Sequence, residues 1–218
     1  AYEGQTVIED LSFQMDQGDY LCIVGENGSG KSTLVKSLLG LKSPSKGEII
    51  FGDGLLQREI GYLPQQNDVQ KDFPASVYEV VLSGRLNGRG FHPFYKAEDK
   101  RRAKENMQLL GIDDLARSCF RDLSGGQKQR ARALCATKKL LLLDEPVTGL
   151  VPIVTAEFYQ LIKEINQKSG IAVVMVSHDI ESALRDATHI LHLQENARFF
   201  GTTEDYKKSA VGRQYIKS

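Results

Sequence analysis

Three short stretches of this chain combine residue types whose chemistry follows from their spacing. "GENGSGKST", Gly25 to Thr33, fits G-x-x-x-x-G-K-[ST] and lies between an apolar run, "YLCIV", and a helical pattern, "STLVKSLLG". Its glycines let successive backbone N–H groups turn toward one centre, and the start of a helix adds positive potential there. Lys31 supplies a mobile cation and Ser32 a hydroxyl able to ligate Mg²⁺. A chance Gly-rich turn would lack the strand–loop–helix setting. Gly25, Glu26, Asn27, Gly28, Ser29, Gly30, Lys31, Ser32 and Thr33 are therefore expected to cradle the phosphates of a nucleoside triphosphate. The second stretch, "LLLLDEP", drives Leu140–Leu143 straight into Asp144 and Glu145. A buried strand ends in two acids when a cation or a reacting group waits at its tip. On a strand parallel and adjacent to that of the phosphate loop, Asp144 would lie near Mg²⁺, and Glu145 could orient or deprotonate a water attacking the γ-phosphate. Helix-capping or solvated acids are the competing reading. The third stretch is "LSGGQ", Leu123 to Gln127, where Ser124 precedes two glycines and a polar helix, "GQKQRARALCAT". Backbone N–H groups are again exposed at a helix start, which makes a second anion-binding place. Alone, S-G-G is a common turn; beside the other two stretches it becomes specific.

Positioning these groups takes a largely parallel sheet. Short apolar strands ("YLCIV" at 20–24, "KLLLLD" at 139–144, "IAVVMVS" at 171–177) alternate with helical patterns, which predicts an α/β architecture. Val154, Phe158, Leu161, Ile162 and Ile165 mark one face of a helix between the last two strands. "THILHL" and "ARFFG" predict a closing hairpin. The middle of the chain, about 69–135, changes texture. Helical patterns such as "SVYEVVLSG" and "AEDKRRAKENMQLLG" flank a Gly- and Pro-punctuated loop, "RLNGRGFHPFY". In the second pattern Ala103, Met107 and Leu110 align while Lys100, Arg101 and Lys104 face water. The whole reads as one domain over 1–218, with a core at about 1–68 and 136–218 and a helical lobe inserted at about 69–135.

Bulk composition narrows the partners. At 218 residues, 41% hydrophobic and 26% charged, the chain can bury a substantial core. Lys plus Arg equals Asp plus Glu at 28 each, so no global field steers it toward nucleic acid or an anionic membrane. No apolar run approaches the roughly 18–20 residues of a spanning helix. Cys22, Cys119 and Cys135 are scattered and read as reduced core thiols of the cytosol. His92, His189 and His192 show no convergent partner and read as surface or packing residues. The chain opens at Ala1 without an initiator Met, so its true start is expected to lie upstream.

With these motifs the chain resembles the nucleotide-binding subunit of ATP-binding cassette (ABC) transporters, over nearly its whole length. The resemblance implies a P-loop NTPase core of the α/β class with an N-terminal antiparallel β region and an inserted helical signature subdomain. It implies ATP and Mg²⁺ as ligands, with Ser32, Gln65 and Asp144 around the metal and Glu145 as catalytic base. Tyr2 matches the aromatic residue that stacks on adenine. Gln65 in "GYLPQQ" resembles the glutamine that senses Mg²⁺ and the attacking water, and His178 in "VSHD" the switch histidine that contacts the γ-phosphate. Ser124, Gly125, Gly126 and Gln127 look like the signature presented to the ATP of the opposite subunit. The implied assembly is a homodimer of ATPase subunits on membrane-spanning permease subunits, served indirectly by an extracytoplasmic solute-binding protein, with no nucleic acid. Its implied place is the cytoplasmic face of a bacterial cell membrane. "FPASVYEVVLSGRLNGRG" and "LLGIDDLARSCFRDLSGGQ" are similar to the subgroup serving zinc or manganese importers, with haem, cobalamin or siderophore import as alternatives.

Two departures from the family pattern stand out. Where the family usually reads "GLDP", this chain reads "GLVP", with Val151 in place of an Asp that helps couple the two ATP sites. That keeps open a catalytically weakened regulatory protein of the same fold. The run from Gln127 to Asp144 is also about three residues shorter than usual, which along a helix removes roughly 4.5 Å and rotates the downstream residues by about 60°. Either residues are missing near Arg130–Ala133 or a loop compensates. The family also normally has another strand before Tyr2. A cassette for DNA repair or translation would need a long coiled coil or a second cassette, and a P-loop kinase or GTPase would lack LSGGQ and Glu145.

Overall fold

The apolar runs assemble into a six-stranded sheet, in which the strand at Ile60–Leu63 is followed across the sheet by those at Leu140–Asp144, Ala172–Val176, Tyr20–Gly25, His189–Leu193 and Arg198–Thr202. The structure is a computed structural model that describes residues 8–52, 54–57, 60–65, 75–83, 95, 97–109, 111–128, 131, 139–194 and 198–216. Its strands are β1 (Tyr20–Gly25), β2 (Ile60–Leu63), β3 (Leu140–Asp144), β4 (Ala172–Val176), β5 (His189–Leu193) and β6 (Arg198–Thr202). Strands β1 to β5 run parallel, and β6 closes the sheet antiparallel to β5, pairing Leu191 with Phe200. The expected hairpin is therefore present. Residues 8–19, described without a strand, leave β5–β6 as the antiparallel pair among the described residues.

The four leucines of β3 serve both faces of this sheet, because side chains alternate along a strand. Leu141 and Leu143 pack with Val173, Met175 and Phe158, while Leu140 and Leu142 pack with Leu21, Ile23 and Leu34. All but Leu140 are fully buried, and each such leucine contributes roughly 1.5–3 kcal/mol. A strand covered on both sides has no polar face, hence the uninterrupted run.

One side is covered by α1 (Lys31–Leu38), through Leu34, Val35 and Leu38. The other is covered by α4 (Pro152–Ser169), through Phe158, Tyr159, Ile162 and Ile165, and by α2 (Val77–Ser83) and α3 (Ala97–Leu109), whose Val77, Val81, Ala103 and Met107 join the same cluster. Of the predicted stripe, Phe158, Ile162 and Ile165 are buried and Val154 and Leu161 half-buried; Tyr159 and Asn166 are buried as well, and Asn166 is satisfied by the carbonyls of Gly18 and Ile171, each at 2.8 Å. A short helix α5 (Ile180–Asp186) joins β4 to β5, and α6 (Thr203–Lys208) and α7 (Ala210–Ile216) follow β6. No helix among the described residues is long and apolar enough to cross a membrane.

One expectation of topology is corrected. β3 is parallel to the phosphate-loop strand but not adjacent to it: β4 lies between them, bonded to both. Asp144 still reaches the same edge as Gly25, because every parallel strand ends there, and that carboxyl edge is where open α/β sheets bind ligands. Tyr2, His92, Leu110, Cys135, the loop at 84–94 and, around the suspected gap, Arg130, Arg132 and Ala133 lie outside the described residues.

Candidate functional site

The phosphate loop leaves β1 at Gly25 with φ 143°. A Cβ there would sit 2.1 Å from the carbonyl oxygen of Leu193 on β5, so only glycine fits both the backbone and the close approach. The loop ends at Gly30, the N-cap of α1, with no side-chain hydrogen bond to the cap and no acid in the first turn. The first N–H groups of α1 are thus left for an anion. Lys31 is only 6% exposed, yet its Nζ donates to two backbone carbonyls, Gly25 O at 2.8 Å and Glu26 O at 2.7 Å. Burial lowers its pKa, and the charges of Glu145 and Asp144 work the other way. Ser32 is exposed, and Ser29 Oγ is buried without a hydrogen-bond partner. A buried cation held by carbonyls, an uncapped helix start and an exposed hydroxyl suit a triphosphate.

At the tips of β2, β3 and β4 four predicted residues converge. Glu145 carries φ 47°, a left-handed conformation rare outside glycine, which costs of order 1–3 kcal/mol. Its N–H donates to Val176 O at 3.1 Å, fixing the turn against β4. Its carboxylate meets His178 Nε2 at 2.5 Å through Oε1 and accepts from Gln65 Nε2 at 3.0 Å and Thr148 Oγ1 at 3.4 Å through Oε2. His178 is placed by the turn after β4, where Ser177 donates its N–H to Ile23 O at 3.1 Å and its hydroxyl accepts from Asp179 N at 3.0 Å.

Asp144, half-buried, accepts from Tyr62 Oη at 3.4 Å. Burial, reinforced by the charge of Glu145, raises its pKa, while the Tyr62 hydrogen bond and Lys31 oppose that rise. The Tyr62 phenol is pushed up to about 12 by burial and by Asp144. Ser32, Gln65 and Asp144 offer oxygen donors, the type Mg²⁺ prefers. Mg²⁺ keeps several waters and binds through one or two protein groups plus phosphates, so it does not need the acidic cluster that the described residues lack. Sequence reading missed Tyr62 and Thr148. The signal for Tyr62 is its register opposite Leu142, two residues before Asp144, which pairing alone reveals.

The Ser124 segment forms a reciprocal cap. Ser124 N donates to Gln127 Oε1 at 2.9 Å, and Gln127 N donates to Ser124 Oγ at 3.3 Å. Its glycines have a packing reason: a Cβ on Gly126 would meet Val154 Cγ1 at 2.7 Å, and one on Gly125 would meet Leu150 Cδ2 at 3.1 Å. The segment thus rests on the start of α4.

That start is where the departure from "GLDP" falls. Val151 is the N-cap of α4, 59% exposed, with no side-chain cap bond. An Asp at an N-cap outperforms Val by about 0.5–2 kcal/mol. Val151→Asp is therefore expected to raise the melting temperature by roughly 2–4 °C per kcal/mol gained. It is also expected to increase the rate or cooperativity of ATP hydrolysis. Thermal unfolding and ATPase titrations read the two separately, and an unchanged ATPase curve would confine the effect of the substitution to helix capping.

A family model described as "ABC transporter" matches residues 8–148. The chain belongs to the ABC transporter family. The manganese transport system ATP-binding protein MntB of Bacillus subtilis is 38% identical over 213 residues, covering 94% of this chain and 84% of that protein. The zinc uptake system ATP-binding protein ZurA of Listeria innocua is 31% identical over 222 residues, covering 98% of this chain and 86% of that protein. Among solved structures, cbiO1 of Clostridium perfringens, part of the ABC transporter complex cbiONQ, superposes with a TM-score of 0.83 at 27% identity, covering 100% of this chain and 90% of that one. The dimeric structure of a bacterial ABC transporter cassette gives 0.69 at 26% identity, covering 90% of each chain. This ABC cassette therefore shares its fold with subunits that work as parts of larger assemblies.

Proposed function

We propose that this ABC cassette binds and hydrolyses ATP to energise import of a transition metal ion such as manganese or zinc. The observation that carries the catalytic half is the meeting of Gln65 and His178 on one carboxylate, Glu145, at the same sheet edge as Lys31. In this reading the loop 25–33 and Lys31 hold the phosphates, and Tyr2 stacks on adenine. Ser32, Gln65 and Asp144 would hold Mg²⁺, whose positive charge offsets the negative charge of the phosphates. Glu145 takes the proton of the attacking water, while Gln65 and His178 keep its carboxylate aimed. Ser124 to Gln127 complete the ATP site of a second copy, so ATP bridges a homodimer and hydrolysis removes the bridge. Permease subunits at the membrane's cytoplasmic face take up that motion, and an extracytoplasmic solute-binding protein delivers the cargo. The metal half is supported by relatives named for manganese and zinc transport at 31–38% identity across most of the chain.

Cells lacking this gene are expected to lose high-affinity uptake of radiolabelled manganese or zinc. A wild-type copy should restore it and a Lys31→Ala copy should not. Undiminished uptake of both metals, with loss of haem, cobalamin or siderophore uptake instead, would move the cargo and leave the ATPase standing.

A further inference from the structure

Glu26 is an anomaly within a loop that suits anions, since its carboxylate would repel a triphosphate bound beside it. The structure shows what restrains it. Tyr215 on α7 donates its O–H to Glu26 Oε1 at 2.9 Å, across 189 positions of sequence, and Gln194, just past β5, donates its amide to the same phenol oxygen. An amide–phenol–carboxylate series polarises each bond and strengthens the next. The phenol is itself held. Its ring meets His192 edge-on with centroids 4.7 Å apart, and His192, fully buried, bonds Tyr206 Oη through Nδ1 at 2.7 Å. Helix α7 packs so tightly on α6 that a Cβ on Gly212 would lie 1.9 Å from Tyr206 O. His192, read from sequence as lacking a partner, is therefore the hub between β5 and the last two helices.

Glu26 is also where the loop holds its lysine. Its carbonyl accepts from Lys31 Nζ at 2.7 Å and from Ser29 N at 3.3 Å. A freed Glu26 side chain would add negative charge near the phosphates and compete for Lys31.

We infer that Tyr215, supported by Gln194 and His192, is a positioning residue for nucleotide binding that holds the Glu26 carboxylate against the C-terminal helices and away from the triphosphate. This rests on the ATP-binding reading above. Removing only the hydroxyl, in Tyr215→Phe, is expected to raise the KM and the Kd for MgATP by about three- to tenfold. It should leave kcat within about twofold, because no group that meets the reacting atoms has changed. Neutralising the acid in the same background, Tyr215→Phe with Glu26→Gln, should bring affinity back toward wild type, which a purely structural loss would not allow. The measurements are fluorescent-nucleotide titration and steady-state ATPase on the full chain, with melting temperature alongside. An unchanged Kd in Tyr215→Phe, or a double variant no better than the single, overturns the inference while leaving ATP binding intact. Wild-type protein that binds no MgATP overturns both.

Discussion

Replacing Glu145 by Gln is expected to cut ATP turnover by about 10²–10⁴, the range a positioned general base contributes, while leaving nucleotide binding in place. The geometry makes this substitution informative. Glu145 is kept in a strained left-handed backbone conformation, anchored through Val176 O, with its two carboxylate oxygens directed by His178, Gln65 and Thr148. Gln has the same shape but cannot accept a proton from water, so the chemical step fails while Lys31 and the loop are untouched. ATP that binds without being cleaved should keep two copies bridged. Size-exclusion chromatography in MgATP is then expected to show Glu145→Gln as a dimer, with wild type returning to monomer as ATP is consumed. Single-turnover hydrolysis checks the rate directly. A variant retaining more than about a tenth of the wild-type rate would remove Glu145 from the role of base.

How far this site could be read from sequence depends on how local each feature is. The Gly-rich loop at 25–33 is a continuous segment whose neighbours along the chain supply its strand and helix, so its position follows from the letters. Leu140–Leu143 likewise announce a strand buried on two faces. Sheet order is different: nothing in "KLLLLD" says that β4 intervenes between β3 and β1, because order depends on where each crossover helix returns. Gln65 and Glu145 lie 80 positions apart and Tyr215 and Glu26 lie 189 apart, so neither pairing leaves a trace in local pattern. The family likeness named Gln65 and Glu145 each by its motif, but not their contact. It could not supply the second pairing either, and His192 accordingly read as a packing residue. The glycines of "LSGGQ" show a further limit: their pattern in the sequence suggests anion binding, and only coordinates reveal that a Cβ at either position would meet Leu150 or Val154.

Asp144 provides the second large effect, in which stability and function move in opposite directions. Burial and the nearby charge of Glu145 raise its pKa above the ordinary 3.8, so the folded protein disfavours its ionised form. The unfolded chain gives up this proton at lower pH than the folded one, and stability therefore falls as pH rises above 3.8 toward the folded-state value. Asp144→Asn removes the charge but keeps an oxygen to accept the Tyr62 hydrogen bond, so the nucleotide-free variant should melt higher than wild type at pH 7. The advantage should shrink as the pH is brought down toward 3.8, where wild-type Asp144 becomes neutral as well. With MgATP the order reverses. In the proposed reading the Asp144 carboxylate is the group offered to Mg²⁺, and the stabilisation a ligand gives the folded state grows with its affinity for that state. Wild type should gain more in melting temperature from MgATP than Asp144→Asn does, and hydrolysis by the variant should drop about 100-fold or more. Thermal melts at pH 4, 5.5 and 7, each with and without MgATP, read both signs in one experiment. A variant that melts lower than wild type without nucleotide would show that the acid is structural. A variant that gains as much from MgATP as wild type would take Asp144 away from the metal.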